Sequence, residues 1–139
     1  MPLEGTTLSL GRGTALPFQV FGHPKFPNGL FSFTPRSTEG AKDPVLKDVT
    51  CYGYNLSGTP GKVRAQVEDR IQLKWLQRAY ELFPEKDKFF TPAFNTLAGN
   101  ANLQQQIRRG MSETAIRKTW APALNQFKII RKKYLLYAE

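Results

Sequence analysis

The sequence predicts an α+β fold, with short β-strands and ordered loops in the first half and three to four α-helices packed on them in the second half. The composition changes near Lys62, since nine of the eleven glycines and seven of the ten prolines precede it. After Lys62, apolar residues recur with the 3.6-residue period of an amphipathic helix. A length of 139 residues is typical of one domain, so residues 1–139 are predicted to form a single domain.

Three short strands are predicted in the first half, at Phe18–Phe21, Leu30–Pro35 and Thr50–Gly58. The second strand alternates in polarity, with Phe31 and Phe33 on the same side. Successive side chains of a strand point to opposite faces, so this aromatic face is expected to be buried. The residues between the second and third strands are expected to form a loop.

The second half is predicted to begin with an amphipathic helix that starts at Val67 and is stopped by Pro84. A short helix over Leu103–Arg109 should follow, with Gly110 as its C-terminal stop. Ser112 is a suitable N-cap for the next helix.

The last segment is predicted to contain a separate helix, because Pro122 fits best in a first helical turn. This helix is expected to run over Ala123–Lys132 and to bury three apolar side chains, those of Leu124, Phe127 and Ile130. The residues from 133 to 139 are expected to form a closing strand.

The net charge of +9 is concentrated in the second half of the chain. Residues 1–61 carry five basic and four acidic side chains, whereas residues 62–139 carry fifteen and seven. This excess either attracts an anionic partner or forms a solvated helix surface. The sequence has no RNA-binding signature and no apolar run of 18 residues, so neither nucleic-acid binding nor membrane insertion is predicted.

The residues that bind metals and cofactors are scarce in this sequence. The chain has a single cysteine, Cys51, so it cannot form an internal disulfide. It also has a single histidine, His23, which excludes a histidine-rich metal site. The glycine pattern matches neither a phosphate loop nor a dinucleotide fingerprint. We therefore predict no metal and no cofactor.

The opening segment, LEGTTLSLGRGT, contains an unusual density of polar and turn-forming residues. Arg12 lies between Gly11 and Gly13, so the backbone can approach a ligand while the guanidinium offers donors to a carboxylate or phosphate. Glu4 can accept hydrogen bonds from sugar hydroxyls. An alternative is that Arg12 pairs with Glu4 to join two loops, and that the glycines serve only a tight turn.

Several motifs in order resemble the C-terminal auxiliary domain of the exo-β-N-acetylmuramidase (NamZ-type) glycosidase family, in its Bacteroidetes-like variant. They are LEGTTLSLGRGT with PFQVFGHP, then EGAKDPVL, FFTPAFNTLAGN and IRRGMSETAIRKTW. The resemblance implies a longer, periplasmic or exported parent protein with a Rossmann-like N-terminal domain. It also implies a cleft between the two parts that releases N-acetylmuramic acid from glycan ends. The catalytic glutamate would belong to the preceding part, so the catalytic residues are unknown here.

The resemblance makes the opening segment the expected site for a glycan containing N-acetylmuramic acid. Arg12 would pair with the lactyl carboxylate of the sugar, and the polar neighbours would bind its hydroxyl or acetamido groups. The expected substrate-binding residues are Glu4, Gly5, Thr6, Ser9, Gly11, Arg12, Gly13 and Thr14, with Lys42 and His23 as additional candidates. Two alternatives stay open: a stand-alone, non-catalytic module for anionic cell-wall glycan, and a nucleic-acid-binding protein.

Overall fold

The fold has three strands followed by five helices within the residues that the computed structural model describes, 2–68 and 70–137. This confirms the α+β fold class, with more helices than expected. The strands are β1 (Val20–His23), β2 (Phe31–Phe33) and β3 (Cys51–Asn55). The helices are α1 (Pro60–Val67), α2 (Lys74–Leu82), α3 (Phe94–Ala98), α4 (Asn102–Arg108) and α5 (Glu113–Lys132), with a 3₁₀ turn at Lys86–Lys88 between α2 and α3.

The three strands form one antiparallel sheet with the order β1-β3-β2. In its register, Val20 lies opposite Asn55 on one side of β3, and Phe33 lies opposite Cys51 on the other. All four residues of β1 are buried. The first strand therefore begins two residues later than predicted, because Phe18 adopts a positive φ of 62° that is incompatible with an extended strand.

The prediction that the aromatic face of β2 is buried is wrong. Phe31 is 41% exposed and Phe33 is only partly buried. The hydrophobic core packs against Phe21 of β1, whereas the three-residue β2 lies beyond β3 and contributes no residue to that core. The two rings instead stack on each other, with centroids 6.4 Å apart.

The predicted helix start at Val67 is also wrong, since Val67 ends α1 and α2 begins at Lys74. Glu68 takes a left-handed conformation after α1, and Ile71 is 62% exposed in the connection between the two helices. The N-terminus of α1 has its own signal: the Thr59 hydroxyl accepts a hydrogen bond from the Lys62 amide, and Pro60 occupies the first turn. Pro84 follows the end of α2, as predicted.

The prediction of a short helix before Gly110 is confirmed by α4 at Asn102–Arg108. The prediction of Ser112 as N-cap of the next helix is confirmed too, because its hydroxyl accepts from the Ala115 amide at 3.2 Å. Pro122, however, lies inside α5 and does not begin a new helix. A proline lacks one N–H group, and the helix continues through that position without the hydrogen bond.

The expected burial of the distal side chains of α5 is wrong. They project beyond the edge of the core, and the exposed fractions are 48% for Leu124, 57% for Phe127 and 50% for Ile130. The predicted closing strand is not seen over residues 133–137, which form turns and bends. Residues 138 and 139 lie outside the described part of the chain.

The hydrophobic core joins the two halves of the chain. Leu3 and Phe21 come from the first half, and Leu76, Phe94 and Ile116 come from the helices of the second half. Each of these side chains is at most 2% exposed. The core therefore packs the helices against the opening segment and the β1 side of the sheet. Within the described residues, no helix is long and apolar enough to cross a membrane.

Candidate functional site

The opening segment, residues 3–14, is held between the sheet and the helical half. Ser9 and Gly22 of β1 exchange two backbone hydrogen bonds of 3.0 Å. On the other side, the Thr7 amide donates to the Phe89 carbonyl at 3.0 Å. The amide and the hydroxyl of Thr91 both donate to the Gly5 carbonyl, at 2.8 and 2.9 Å. These bonds fix the segment at the junction of the two halves.

The turn around Arg12 depends on its two flanking glycines. Gly11 and Gly13 have φ values of +76° and +78°, which disfavour other residues. A Cβ on Gly13 would lie 2.3 Å from the carbonyl oxygen of Arg36. Both glycines are buried, so the tight turn packs into the protein while the Arg12 side chain between them is 58% exposed.

Arg12 is held loosely by its neighbours. Its guanidinium carbon lies 4.8 Å from the centroid of the Phe18 ring, in a cation–π contact. Its Nη2 atom lies 3.9 Å from Oε1 of Glu4, beyond hydrogen-bond distance. An exposed pair with this geometry contributes roughly 0–1 kcal/mol. The pairing of Arg12 with Glu4, given above as the alternative to ligand binding, is therefore present as a weak, exposed ion pair.

A cavity of about 220 Å³ lies beside this pair. Five of the eight expected binding residues line it, namely Glu4, Gly5, Thr6, Ser9 and Arg12, and its apolar wall is formed by Leu3, Leu8, Leu10, Val45 and Leu97. This volume is smaller than the roughly 300–1,000 Å³ of sites that enclose a complete drug-sized ligand. The cavity therefore has room for part of a larger ligand.

The hydroxyl groups of the segment mainly stabilise its own backbone. Thr6 donates to the Leu3 carbonyl at 2.6 Å, and Thr14 donates to the Gly11 carbonyl at 2.7 Å. The Ser9 hydroxyl accepts from the Gly11 amide at 3.4 Å. Gly11, Gly13 and Thr14 do not line the cavity. Their place in the structure is to shape the turn that presents Arg12.

Neither of the two additional candidates lines this cavity. His23 is 8% exposed, packs edge-on against the Phe83 ring with centroids 4.8 Å apart, and accepts from the Lys25 amide at Nδ1. Burial, helped by the positive charge of Lys25, lowers the pKa of His23 to about 4. Lys42 is exposed in the loop between β2 and β3.

A second cavity, of about 540 Å³, adjoins the first and was not predicted from the sequence. Glu4 and Leu97 line both cavities. The remaining walls are formed by Pro2, Ile71, Leu73, Phe94, Ala98, Asn100, Leu103 and Trp120. Trp120 lies four residues after Ile116, so the sequence indicated that the two side chains share one face of a helix. It did not indicate which side chains elsewhere in the chain Trp120 would contact. Within the described residues, no group of metal-ligating side chains is present.

Comparison with known proteins agrees with the resemblance of the motifs. A family model described as exo-beta-N-acetylmuramidase NamZ, C-terminal, matches residues 1–137. Peptidoglycan beta-N-acetylmuramidase NamZ of Bacillus subtilis (strain 168) is 30% identical over 97% of this chain. A crystal structure of a DUF1343 family protein from Bacteroides fragilis NCTC 9343 is 41% identical, covers 99% of the chain and superposes with a TM-score of 0.89.

Both relatives are considerably longer than this chain. It covers 35% of the length of the Bacillus protein and 38% of the Bacteroides chain. The match to a C-terminal family model extends over nearly every residue, and the fold of a 41% identical relative is reproduced. The chain therefore belongs to the family of NamZ C-terminal domains.

Proposed function

We propose that this chain is the C-terminal domain of a peptidoglycan-acting exo-β-N-acetylmuramidase, and that the 220 Å³ cavity binds the N-acetylmuramic acid unit of the glycan. The observation that carries the proposal is the exposed Arg12 guanidinium, presented at the cavity by a glycine-flanked turn. A Rossmann-like N-terminal part of the parent protein would complete the cleft. The small size of the cavity supports such a shared site.

The chemistry of the cavity suits the substituents of this sugar. The planar fork of Arg12 matches the lactyl carboxylate, which distinguishes muramic acid from glucosamine. Glu4 can accept hydrogen bonds from ring hydroxyls. The exposed side chains of Val45 and Leu97 offer apolar contacts to the methyl groups of the lactyl and acetamido substituents.

The chain alone is expected to bind without cleaving. Glycoside hydrolysis generally requires two carboxyl groups on opposite sides of the scissile bond. Among the described residues that line the cavity, Glu4 is the only acid. The catalytic residues would then come from the preceding part of the parent. Clear turnover of a chromogenic muramide by this chain would contradict that assignment.

Binding can be tested by NMR titration of the chain with N-acetylmuramic acid and, as a matched ligand, N-acetylglucosamine. Only the first sugar carries the lactyl carboxylate, so it should bind more tightly. Arg12→Ala should weaken its binding about tenfold or more, since a hydrogen bond to a charged group contributes about 1.5–3 kcal/mol. Arg12→Lys should restore part of the affinity, because it keeps the charge but loses the planar fork.

A suitable control is Arg64→Ala, which removes an exposed arginine from α1, away from the cavity. This variant should bind like the unmodified chain. Equal affinity for the two sugars, or equal effects of the two alanine substitutions, would refute the role of Arg12.

A second candidate function is a stand-alone module for anionic cell-wall glycan. It is favoured by the end of α5, since residues 118–133 contain five basic and no acidic side chains. Binding through this surface would weaken as salt is raised, because exposed charges are screened. It would also survive Arg12→Ala, which separates it from the first proposal.

A further inference from the structure

The distal segment of α5, residues 121–132, is exposed on every side. Apolar side chains are among the most exposed, including Phe127 at 57% and Ile129 at 69%. Pro122 has no amide N–H, so the segment lacks the hydrogen bond that would join this residue to Lys118 in the preceding turn. An isolated helix shorter than about 12–15 residues is marginal in water even without a proline. The segment therefore lacks the packing that normally maintains a helix.

One face of α5 continues from the core of this chain into the exposed segment. Ile116, Trp120, Ala123, Phe127 and Ile130 follow one another at alternating spacings of four and three, which places them along one stripe. Ile116 is fully buried, and Trp120 packs against the core. Phe127 and Ile130 extend the same stripe beyond the core. The stripe thus suits a further packing partner.

The stripe leads to an apolar surface around Pro2. Trp120 and Pro2 line the 540 Å³ cavity together. A third cavity of about 320 Å³ shares Pro2 and Ile71 with it. This third cavity includes three further exposed apolar side chains, those of Phe18, Val63 and Val67. A polypeptide that continues before residue 1 would enter between these cavities, next to the stripe.

Charge distinguishes between the partners that the stripe could take. Residues 118–133 carry five basic side chains and no acidic one, so a second copy packed along the same face would bring like charges together. An acidic surface would be attracted instead. The chain covers 35% and 38% of two relatives and matches a C-terminal family model, so in these relatives most of the polypeptide precedes the matched part.

We infer that the distal segment of α5 docks into an apolar groove, flanked by carboxylates, on the polypeptide that precedes this chain in the full-length protein. The inference rests on the proposed function only in treating the chain as the C-terminal part of a longer protein. It does not require the Arg12 cavity to bind a sugar. Docking of the distal segment into this groove would complete the packing of α5. It would also bring the preceding polypeptide over the apolar surface around Pro2.

Amide hydrogen exchange tests this directly on the 139-residue chain and on the full-length protein. The backbone amides of residue 121 and of residues 123–132 should exchange quickly in the chain alone and at least about tenfold more slowly in the full-length protein. Ile130→Asp should restore fast exchange, since it places a charge in the stripe. Ile129→Asp is a matched control, because the neighbouring isoleucine lies off the stripe and is at least as exposed.

Several outcomes would overturn the inference. They are equal exchange of the segment in the two proteins, equal effects of the two aspartate variants, or a reading frame that begins at Met1. Self-association of the chain that Ile130→Asp abolishes would assign the stripe to a second copy. Protection of the segment in the chain alone by phosphatidylglycerol vesicles would assign it to a membrane surface.

The Ile130→Asp chain should bind N-acetylmuramic acid as the unmodified chain does. Absence of sugar binding in every variant would therefore remove the proposed function and leave the docking inference standing. Equal exchange of the segment in the chain alone and in the full-length protein, with sugar binding retained, would instead remove the docking inference and leave the proposed function standing.

Discussion

At the scale of single residues, some residues of the opening segment set the backbone turn, and others face the cavity. Gly11, Gly13 and Thr14 are committed to the turn through backbone conformation and a hydroxyl-to-carbonyl bond. Arg12 and Glu4 face the cavity with exposed charged groups. The hydroxyl of Thr14, for example, is of a type that can bind a ligand, but here it stabilises the backbone turn around Arg12. Composition and spacing predicted the cluster but could not separate these two roles.

His23 is the residue whose protonation should most directly affect stability. Its pKa is about 4 in the folded chain and about 6.5 when unfolded, so the unfolded state takes up the proton first as the pH falls. Stability linked to His23 is fully present above pH 6.5 and is lost as the pH falls toward 4. Between pH 7 and 5 we expect a loss of about 2 kcal/mol from this group.

Urea unfolding at the two pH values checks this expectation, with His23→Gln as the comparison. The variant loses the ring contact with Phe83 at both pH values, so this loss does not depend on pH. The decrease in its free energy of unfolding from pH 7 to pH 5 should be smaller than that of the unmodified chain by about 2 kcal/mol. An identical pH dependence in the two proteins would contradict the assignment to His23.

At the scale of elements, the capping signal at Ser112 predicted a helix start correctly, whereas hydrophobic periodicity misplaced the start of α2. Ser112 begins α5 as expected, whereas the periodic residues Val67 and Ile71 are exposed and lie outside α2. Thr59 with Pro60 marks the start of α1, a helix with no buried residue and hence no apolar pattern. The length of α5 could not be predicted, because continuation through Pro122 depends on surroundings that local sequence does not contain.

The two capping residues should differ in their effect on global stability. Ser112→Ala should lower the free energy of unfolding by about 1 kcal/mol, since it removes a cap from a helix that buries Ile116. Thr59→Ala should leave the global value nearly unchanged and speed hydrogen exchange in α1 alone, because α1 can open without exposing the core. Chemical denaturation and hydrogen exchange measure the two effects. Equal global losses would refute this distinction.

At the scale of the whole molecule, Phe21 connects the sheet to the helices. Its ring stacks on Tyr54 with centroids 5.3 Å apart and meets Trp75 of α2 edge-on at 6.1 Å. Sequence composition predicted the division into a strand-rich half and a helical half. It could not predict which side chains from the two halves meet, because such contacts depend on the tertiary arrangement.

Substitution of Phe21 should destabilise both halves together. Phe21→Ala is expected to cost about 3–5 kcal/mol, since the fully buried ring leaves a cavity between sheet and helices. Phe31→Ala, at a 41% exposed position, should cost much less. Thermal unfolding followed by far-ultraviolet and aromatic circular dichroism measures both. Separate transitions for strand and helix signals would show that the core does not couple the halves.

The backbone bonds of Ser9 with Gly22, and of Thr7 with Phe89, have a consequence for where this unit can be cut. A truncation that starts at β1, the first regular element, would remove Leu3 and Leu8 from the interior and strip hydrogen-bond partners from both the sheet and the helical side. The irregular residues ahead of the first strand are thus integral to the folding unit. A boundary drawn from secondary structure alone would divide it.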